Sequence, residues 1–453
     1  MPTRPPTHRA EVFAYGDVEV DERAGVVRGH YCLDGRAFVE TVVVGEGHEW
    51  TAAAYEAARL VHLLAGVSYY KAGAARTIDL GTTPVRAGER AFLRSFYVDG
   101  LGEFAYRNGL SLADVELTGG VEATAAVAGP ADADPARPLV PFGGGIDSIV
   151  TVDIVTGVAA DVALFVVNRR GNRFEAIERA AAATGLPVLR AEREIDPAIL
   201  RPDDPGAVFN GHVPVTGVLS AIAVLVAVLD GRDAVVMSNE WSASRPNLTV
   251  DGHAVNHQFS KSAAFEDGFR AVLAEAFGTP GSGGGPDFFS LLRPFSELWV
   301  AQRFAALERF HGVVHSCNRA FHLDPARRLD HWCGRCDKCC FIDLILAPFL
   351  DAPALASIFG GREPLADPSL LPQFRALIGA GDARKPFECV GDVDECRTAV
   401  ALAAERPDRA GNPILVALLP DAGSSARDDA ARLLQPLGPH HIPSAFLAAA
   451  ALV

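Results

Sequence analysis

The sequence is short of the features that mark several large classes of protein. Its 453 residues include only 8 cysteines, which is too few for a disulfide scaffold. Lys and Arg number 41 against 56 Asp and Glu, and a net charge of −15 repels a phosphate backbone, so nucleic acid is not an expected partner. With 49% hydrophobic and 21% charged residues, the composition excludes collagen-like, disordered and coiled-coil chains. Small-molecule chemistry is the function class that remains.

Long hydrophobic runs are also scarce. The longest extends from Val213 to Leu229 and is interrupted by Pro214 and Gly217. It is short for a membrane span and predicts a buried helix of an α/β core. The first residues, MPTRPPTHRAEVF, lack the apolar segment of a secretory signal. We therefore expect a cytoplasmic protein with no membrane partner.

Residues 1–119 are predicted to form a β-rich domain, with substrate recognition as its expected role. Short β-rich segments alternate with turns there, and the dipeptide Asp34-Gly35 favours a tight hairpin in an antiparallel sheet. Apolar residues at helical spacing from Glu49 to Ala65 predict a helix that covers this sheet.

The rest of the chain divides by composition. Residues 120–138 are small, acidic and rich in proline, which is typical of a linker. From 139 to 363, strand and helix patterns alternate, which indicates parallel βαβ units. Residues 364–453 are rich in Ala and Leu and are predicted to be helical. The predicted fold class is α/β, a doubly wound parallel sheet with a β-rich N-terminal domain and a helical C-terminal region.

A glycine loop, VPFGGGIDSIV from Val140 to Val150, is the most informative segment. A strand leads into three glycines, and a helix follows at once. Glycines let backbone N–H groups surround an oxyanion, and the helix N-terminus adds partial positive charge, so the loop suits phosphate. The predicted ligand-binding residues are Gly143, Gly144, Gly145, Asp147, which can hold Mg²⁺ or cap the helix, and Ser148. A plain strand-to-helix turn is the alternative.

Polar residues end two further predicted strands. Asn168 ends VALFVVN, and Ser238, Asn239 and Glu240 end AVVMSNE. In an open parallel sheet the carboxyl edge is where nucleotides bind, so these residues are predicted to outline a pocket. Turn and cap roles are the alternative for each of them.

Five cysteines are crowded into 24 positions and indicate a metal site. The predicted ligands are Cys317, Cys333, Cys336 and Cys339. Four thiolates form the closed tetrahedral set of structural zinc, although the C-x2-C-x2-C spacing also opens a ferredoxin-type run. The ferredoxin run has a fourth cysteine where this chain has Asp343, and adjacent Cys340 is predicted to be spare. Unliganded thiols are the remaining alternative.

The glycine loop resembles the SGGxDS loop of N-type ATP pyrophosphatases, the PP-loop superfamily with the adenine nucleotide α-hydrolase-like fold, although Gly143 replaces the leading Ser. The phrase WCGRCDKC is similar to the zinc knuckle of 7-cyano-7-deazaguanine synthases, which carry the same loop. Longer strings resemble one family, the ATP-dependent UDP-N-acetylmuramoyl-L-alanyl-L-glutamate epimerases, or MurL family. They include LLAGVSYYKA, YVDGLGEFAYRNGL, NGHVPVT, SNEWSAS, VNHQFSKS, LRPFSEL, SCNRAF and KPFECVG. Ile146 departs from the Lys that we would expect in the loop.

The resemblance implies that the terminal L-Glu of UDP-MurNAc-L-Ala-L-Glu is inverted to D-Glu in peptidoglycan biosynthesis, through an acyl-adenylate, with release of AMP and pyrophosphate. It implies ATP and Mg²⁺ as cofactors, with structural Zn²⁺ at the cysteines. Another adenylating PP-loop synthetase, forming an amide or nitrile, and a non-catalytic nucleotide sensor are the alternatives.

The sequence does not single out the groups that move the α-proton. The candidates are Lys261 and His257, four residues apart, and the pair Cys389 and Glu388. Lys261 can instead neutralise a triphosphate, and a structural role is open for all four. We expect His212 to cap a helix or orient a neighbouring group, and Arg293 to meet a substrate anion or a surface acid. The early tyrosines are expected to line a sugar-nucleotide groove or to pack in the sheet; they are Tyr69, Tyr70, Tyr97 and Tyr106.

Overall fold

The structure is a computed structural model that describes residues 8–123, 134–201, 208–250, 252–278, 285–322, 324–424 and 426–452. Its strands are β1 (Val12–Asp21), β2 (Val26–Leu33), β3 (Arg36–Val43), β4 (Thr77–Asp79), β5 (Pro84–Val85), β6 (Glu116–Thr118), β7 (Val121–Glu122), β8 (Asp134–Pro141), β9 (Ala163–Arg169), β10 (Val188–Glu194), β11 (Arg232–Met237), β12 (Leu248–Val250), β13 (His253–Val255) and β14 (Asp287–Ser290). Among the described residues, ten of these strands form one sheet in the order β14-β11-β8-β9-β10-β3-β2-β1-β4-β6.

Helices connect and cover the strands. They are α1 (Ala52–Ala65), α2 (Val67–Tyr70), α3 (Ala87–Val98), α4 (Gly102–Asn108), α5 (Ile146–Thr156), α6 (Glu175–Thr184), α7 (Pro197–Leu200), α8 (Val215–Leu229), α9 (Ala263–Phe277), α10 (Glu297–Ala305), α11 (Asp337–Leu346), α12 (Ala352–Ile358), α13 (Leu371–Leu377), α14 (Val393–Ala404), α15 (Pro413–Ala422), α16 (Asp429–Leu433) and α17 (Ser444–Leu452). The mixed α/β class is thereby confirmed.

The N-terminal strands form the predicted antiparallel hairpins. Strands β2 and β3 pair in register from Val26 opposite Val43 to Leu33 opposite Arg36. Asp34 and Gly35 join them with φ angles of 46° and 84°, the left-handed pair that a tight hairpin turn requires. Helix α1 covers this sheet as predicted, because the Tyr15 and Tyr31 hydroxyls donate to carbonyl groups of that helix.

The strands from β8 to β11 and β14 are parallel, as the alternating pattern predicted. The two predicted segments nevertheless share one sheet, since β10 pairs antiparallel with β3. The expected boundary at residue 139 falls within β8, and residues 124–133 of the expected linker lie outside the described residues. The domain limits therefore stay a prediction from composition.

Alternate residues of the parallel strands enter two separate cores, so helices cover the sheet on both faces. Val140 and Val166 pack with α5, α10 and α11, whereas Leu139 and Phe165 pack with α1, α8 and α9. The predicted buried helix is α8. No helix in the described part of the chain is long and apolar enough to cross a membrane. The described helices after residue 364 extend the first of these cores, and Ser296 at the start of α10 donates to the Leu433 carbonyl at 2.7 Å.

Candidate active site

The glycine loop connects β8 to α5 at the carboxyl edge of the parallel strands. Gly144 has φ +77°, a left-handed conformation that disfavours any residue with a Cβ. Gly145 is the N-cap of α5, and the Ser148 hydroxyl donates to its carbonyl at 3.0 Å. A Cβ at Gly143 would meet nothing within 4 Å, so the missing serine is a loss of one hydroxyl and reflects no lack of room. The loop leaves the first N–H groups of an 11-residue helix at the cavity described next.

A cavity of about 370 Å³ lies against this loop. Its walls include the predicted residues Gly143, Gly145, Asp147, Ser148, Ser238, Asn239, Lys261, Glu388 and Cys389, together with Thr216, Ser316, Asn318, Phe321 and Lys338. Apolar side chains of β9, α6 and α8 complete one side and offer a surface for a planar ring. The cavity therefore combines an anion-binding loop with ionisable side chains from distant parts of the sequence.

Four of the predicted catalytic and ligand-binding residues do not line the cavity. Gly144 shapes the turn, and Asn168, Glu240 and His257 are at least half-buried behind the walls. No hydrogen-bond partner among the described residues reaches the Asn168 Oδ1 or the Glu240 Oε2. Glu240 acts through its charge, since it raises the pKa of Lys261 together with Cys389, the largest contributor.

Cys389 is the most strongly activated group in the cavity wall. Burial raises its pKa, but the Lys261 ammonium, whose Nζ lies 3.7 Å from Sγ, and a hydrogen bond from His257 lower the pKa to about 7. The thiolate is the nucleophilic and basic form of cysteine. Cys389 therefore carries more of the basic thiolate at neutral pH than an ordinary cysteine does.

His257 supports this thiolate from behind. Burial lowers its pKa, yet hydrogen bonds with Cys389 and Glu103 raise it to about 9. The Glu103 carboxylate accepts from Nδ1 of the ring, and His212 lies against the other side at 4.2 Å between ring centroids. Burial and the His257 charge lower the pKa of His212 to about 4, so that this ring stays neutral. Between pH 7 and 9 the arrangement is a thiolate next to an imidazolium.

A pH profile of alkylation tests this electrostatic arrangement. The rate of iodoacetamide modification of Cys389 is expected to rise with a midpoint near pH 7, below the roughly 8.5 of a free cysteine. In His257→Gln the midpoint should move upward, because a hydrogen bond that favours the charged sulfur is lost. Peptide mass spectrometry separates Cys389 from half-buried Cys32, the internal reference. An unchanged midpoint in the variant would contradict the assignment.

Arg293 has neither of its expected roles. It is buried, its guanidinium lies 2.8 Å from Glu266, and it donates to the carbonyl groups of Glu240 and Lys261. The prediction of a substrate contact or a surface ion pair is thus replaced by a buried ion pair that fixes the backbone on either side of the cavity. Ile146 is 1% exposed within the apolar core, and its side chain does not line the cavity. Lys261 and Lys338 supply the cations there.

The four predicted cysteines come together beside the cavity, and Cys340 lies outside the group. Three Sγ–Sγ distances are 3.4 Å (Cys336 to Cys339), 3.7 Å (Cys333 to Cys339) and 3.9 Å (Cys317 to Cys336). Sulfurs bound at 2.3 Å to one tetrahedral ion lie about 3.8 Å apart, so the donor set fits a single Zn²⁺.

The cysteine group also supports the cavity. Lys338, between two of the cysteines, donates from Nζ to the Cys389 carbonyl at 2.6 Å. The segment that would hold the metal thus also places the Lys338 ammonium at the backbone of Cys389.

Glu103, His212 and His257 form a second group that could hold a metal ion, with ligand atoms within 4.8 Å of one another. Nitrogen-rich sets of this kind suit transition metals better than Mg²⁺, which prefers oxygen. The hydrogen bond between Glu103 and His257 satisfies both groups without an ion.

Sequence reasoning missed Glu103, Asn318, Ser316 and Lys338. Each lies in a string that had been noted for its resemblance or for its cysteines, but no spacing rule relates Glu103 to His257, which is 154 positions away. Of the early tyrosines, Tyr69, Tyr70 and Tyr97 pack in the sheet core, while Tyr106 is 38% exposed.

Comparisons with known proteins cover nearly the whole chain. Residues 5–291 match the family model described as the MurL N-terminal domain, and residues 313–433 match the MurL C-terminal domain. A UDP-N-acetyl-alpha-D-muramoyl-L-alanyl-L-glutamate epimerase from a Micromonospora species is 39% identical over 457 residues, 98% of each chain. Proteins of the same name from Salinispora tropica and Xanthomonas oryzae pv. oryzae are 39% and 40% identical, covering 97% and 88% of this chain and 95% and 87% of their own.

Proposed function

We propose that this chain, which belongs to the MurL family, is an epimerase. Its reaction in peptidoglycan biosynthesis is the inversion of the terminal L-Glu of UDP-MurNAc-L-Ala-L-Glu to D-Glu. The observation that carries the proposal is a thiol with a pKa near 7 in the same cavity as an anion-binding glycine loop. Such a cavity can activate a carboxylate at one end and remove a neighbouring proton at the other.

Adenylation of the glutamate α-carboxylate solves an electrostatic problem. Removing the α-proton next to a free carboxylate would build a dianion. In the acyl-adenylate the carboxylate charge is gone, so the acyl group can delocalise the carbanion into an enolate. In the proposed first step a carboxylate oxygen attacks the α-phosphorus of ATP, an acyl-adenylate forms and pyrophosphate leaves. Gly143, Gly145 and Ser148 would bind the phosphates, and Asp147 offers an oxygen ligand of the kind that Mg²⁺ prefers.

Proton transfer follows within the same cavity. The Cys389 thiolate takes the α-proton, and Lys261 stabilises the negative charge that develops on the acyl oxygen. Glu388 also lines the cavity, and burial raises the pKa of its carboxyl, so we propose that it supplies the proton that returns to the opposite face of the α-carbon. Water then hydrolyses the acyl-adenylate, which releases AMP and leaves UDP-MurNAc-L-Ala-D-Glu with a free α-carboxylate. His257 holds Cys389 charged and does not contact the substrate.

Incubation with UDP-MurNAc-L-Ala-L-Glu, ATP and Mg²⁺ in D₂O tests the whole proposal. We expect deuterium at the glutamate α-carbon, D-Glu by chiral analysis, and AMP in the same reaction. A new C–N bond in place of D-Glu would indicate an amide- or nitrile-forming synthetase. ATP binding without AMP from this substrate would indicate a nucleotide sensor, and epimerisation without ATP would contradict the adenylate.

The glycine loop can be tested separately from proton transfer. In Gly144→Ala the new Cβ would lie 3.1 Å from the Ala176 carbonyl oxygen at φ +77°, so the loop must shift. We expect substrate-dependent exchange of pyrophosphate into ATP to fall by about 10²-fold or more, as when an oxyanion donor is lost. Gly185→Ala is the matched control, because its φ is +72° and nothing lies within 4 Å of the new Cβ. Equal losses in the two variants would point to backbone strain alone.

A further inference from the structure

A second cavity adjoins the reaction cavity on the side of the thiol. Its volume is about 390 Å³, and it is lined by Tyr106, Arg107, Asn247, Leu248, Asp337 and residues 384–388. Glu388 lies in the walls of both cavities, and Asp337 in this one precedes Lys338 in the other. The second cavity therefore continues from the reaction centre in the direction of Glu388.

Cations are concentrated here in an otherwise acidic chain. Arg107, Arg384 and Lys385 line the cavity, facing two carboxyl groups, Asp337 and Glu388. Arg384 is exposed, and its one hydrogen bond with a described residue goes to a neutral group, the Tyr106 hydroxyl, at 3.3 Å. Lys385 lines the same cavity without a hydrogen bond or ion pair to any described residue, and its charge also lowers the pKa of buried Glu395. Two cations are thus available for an anion from solution.

Aromatic rings lie beside these cations. The ring centroids of Tyr106 and Phe387 are 5.9 Å apart, and the Arg107 guanidinium lies 4.9 Å from the Phe387 centroid. Tyr106 is 38% exposed, so part of its ring is accessible from solvent. Exposed aromatic faces next to cations suit a flat base that carries phosphates.

We propose that this second cavity binds the nucleoside diphosphate end of the substrate, with Arg384 and Lys385 at the phosphates and Tyr106 and Phe387 at the base. The inference rests on the proposed function, in which a sugar separates the nucleotide from the dipeptide. With the glutamate at Cys389, the remainder of the substrate leaves the reaction cavity past Glu388 and enters this one.

Another basic cavity, lined by Arg169, Arg170, Arg193 and Arg201, is the competing location. It shares no lining residue with the reaction cavity. Arg193 there is buried in an ion pair with Glu40, and Arg170 lies 3.3 Å from Glu194. Two of its four arginines are thus paired with carboxylates, and its lining offers the imidazole of His322 but no Tyr, Phe or Trp ring.

Binding of UDP, measured by calorimetry with ATP present to occupy the glycine loop, tests the inference without requiring turnover. In the double variant Arg384→Ala, Lys385→Ala the affinity for UDP should fall at least about tenfold, and KM for UDP-MurNAc-L-Ala-L-Glu should rise by a similar factor. Uridine, which lacks phosphates, should bind more weakly than UDP to the wild type and lose little affinity in the variant. Tyr106→Leu should weaken both ligands. Arg170→Ala is the control and should change neither affinity.

No UDP binding by the wild type, displacement of UDP by ATP, or a loss in Arg170→Ala in place of the double variant would each overturn the inference. UDP binding that depends on Arg384 and Lys385 in a protein that releases no D-Glu would contradict the proposed function and leave this inference intact. Epimerisation with an unchanged KM in the double variant would contradict this inference and leave the proposed function intact.

Discussion

Cys389→Ala is expected to lower kcat for epimerisation by about 10³-fold or more, because the group that we propose as the base for the α-proton is lost. The thiolate is favoured here by two cationic neighbours, and neither Lys261 nor His257 can replace it as a base. The carboxylates of Glu240 and Asp147 raise the pKa of Lys261, and the Glu103 carboxylate raises that of His257; these contributions remain when Cys389 is replaced. Wash-in of deuterium at the glutamate α-carbon in D₂O measures the step directly.

Pyrophosphate exchange distinguishes a variant that has lost proton transfer from one that no longer folds. Adenylation precedes proton transfer in the proposed sequence, so exchange should persist in Cys389→Ala while deuterium wash-in is lost. Cys32→Ala is the matched control, since Cys32 is also half-buried but lies on β2, outside the walls of the cavity. Wild-type wash-in in Cys389→Ala would mean that another group, with Glu388 the first to examine, removes the proton.

Cys336→Ser is expected to reduce bound zinc from about one ion per chain to a small fraction of that, and to lower the melting temperature by about 10 °C or more. Structural zinc contributes about 10–16 kcal/mol to folding in zinc-finger peptides, and a missing thiolate removes a large part of such a contribution. Metal analysis and differential scanning calorimetry measure the two effects. The ultraviolet-visible spectrum separates zinc, which is colourless, from an iron–sulfur cluster.

Cys340→Ala provides the comparison for this variant. Cys340 is adjacent to a predicted ligand and fully buried, but it lies outside the group of four sulfurs. Its replacement leaves a small cavity and should cost only about 1 kcal/mol, with the zinc content unchanged. Equal effects of the two substitutions, or a wild type that contains no metal, would contradict a structural zinc site.

Local patterns in the sequence predicted the elements that are determined locally. The Asp34-Gly35 turn requires left-handed backbone angles, and the apolar run of α8 has no other place than a core. The three glycines before Asp147 specify a turn at the end of a strand because few other residues tolerate it. Each of these features follows from the backbone preferences of a few neighbouring residues or from the burial of their apolar side chains.

Long-range relations could not be predicted in this way. The pairing of β10 with β3, the contact of Glu103 with His257 and the burial of Arg293 against Glu266 all depend on where separate segments meet. Charge alone did not distinguish a surface arginine from a buried one. For the same reason, Lys338 could be recognised as a neighbour of two cysteines but not as a contact of Cys389.

The junction between β3 and β10 has a consequence for synthesis on the ribosome. The hairpins β1 to β3 can close as soon as they emerge, but one edge of β3 has no partner until residues about 150 positions later have been translated. An open edge invites pairing with other nascent chains. Glu40 on β3 is buried against Arg193 of β10 and also accepts from the Tyr69 hydroxyl; before Arg193 arrives its charge lacks a counter-ion and would penalise any apolar strand that docked in place of β10. The unpaired Glu40 charge thus disfavours incorrect strand pairing at the edge of β3, and the later salt bridge with Arg193 stabilises the correct pairing with β10.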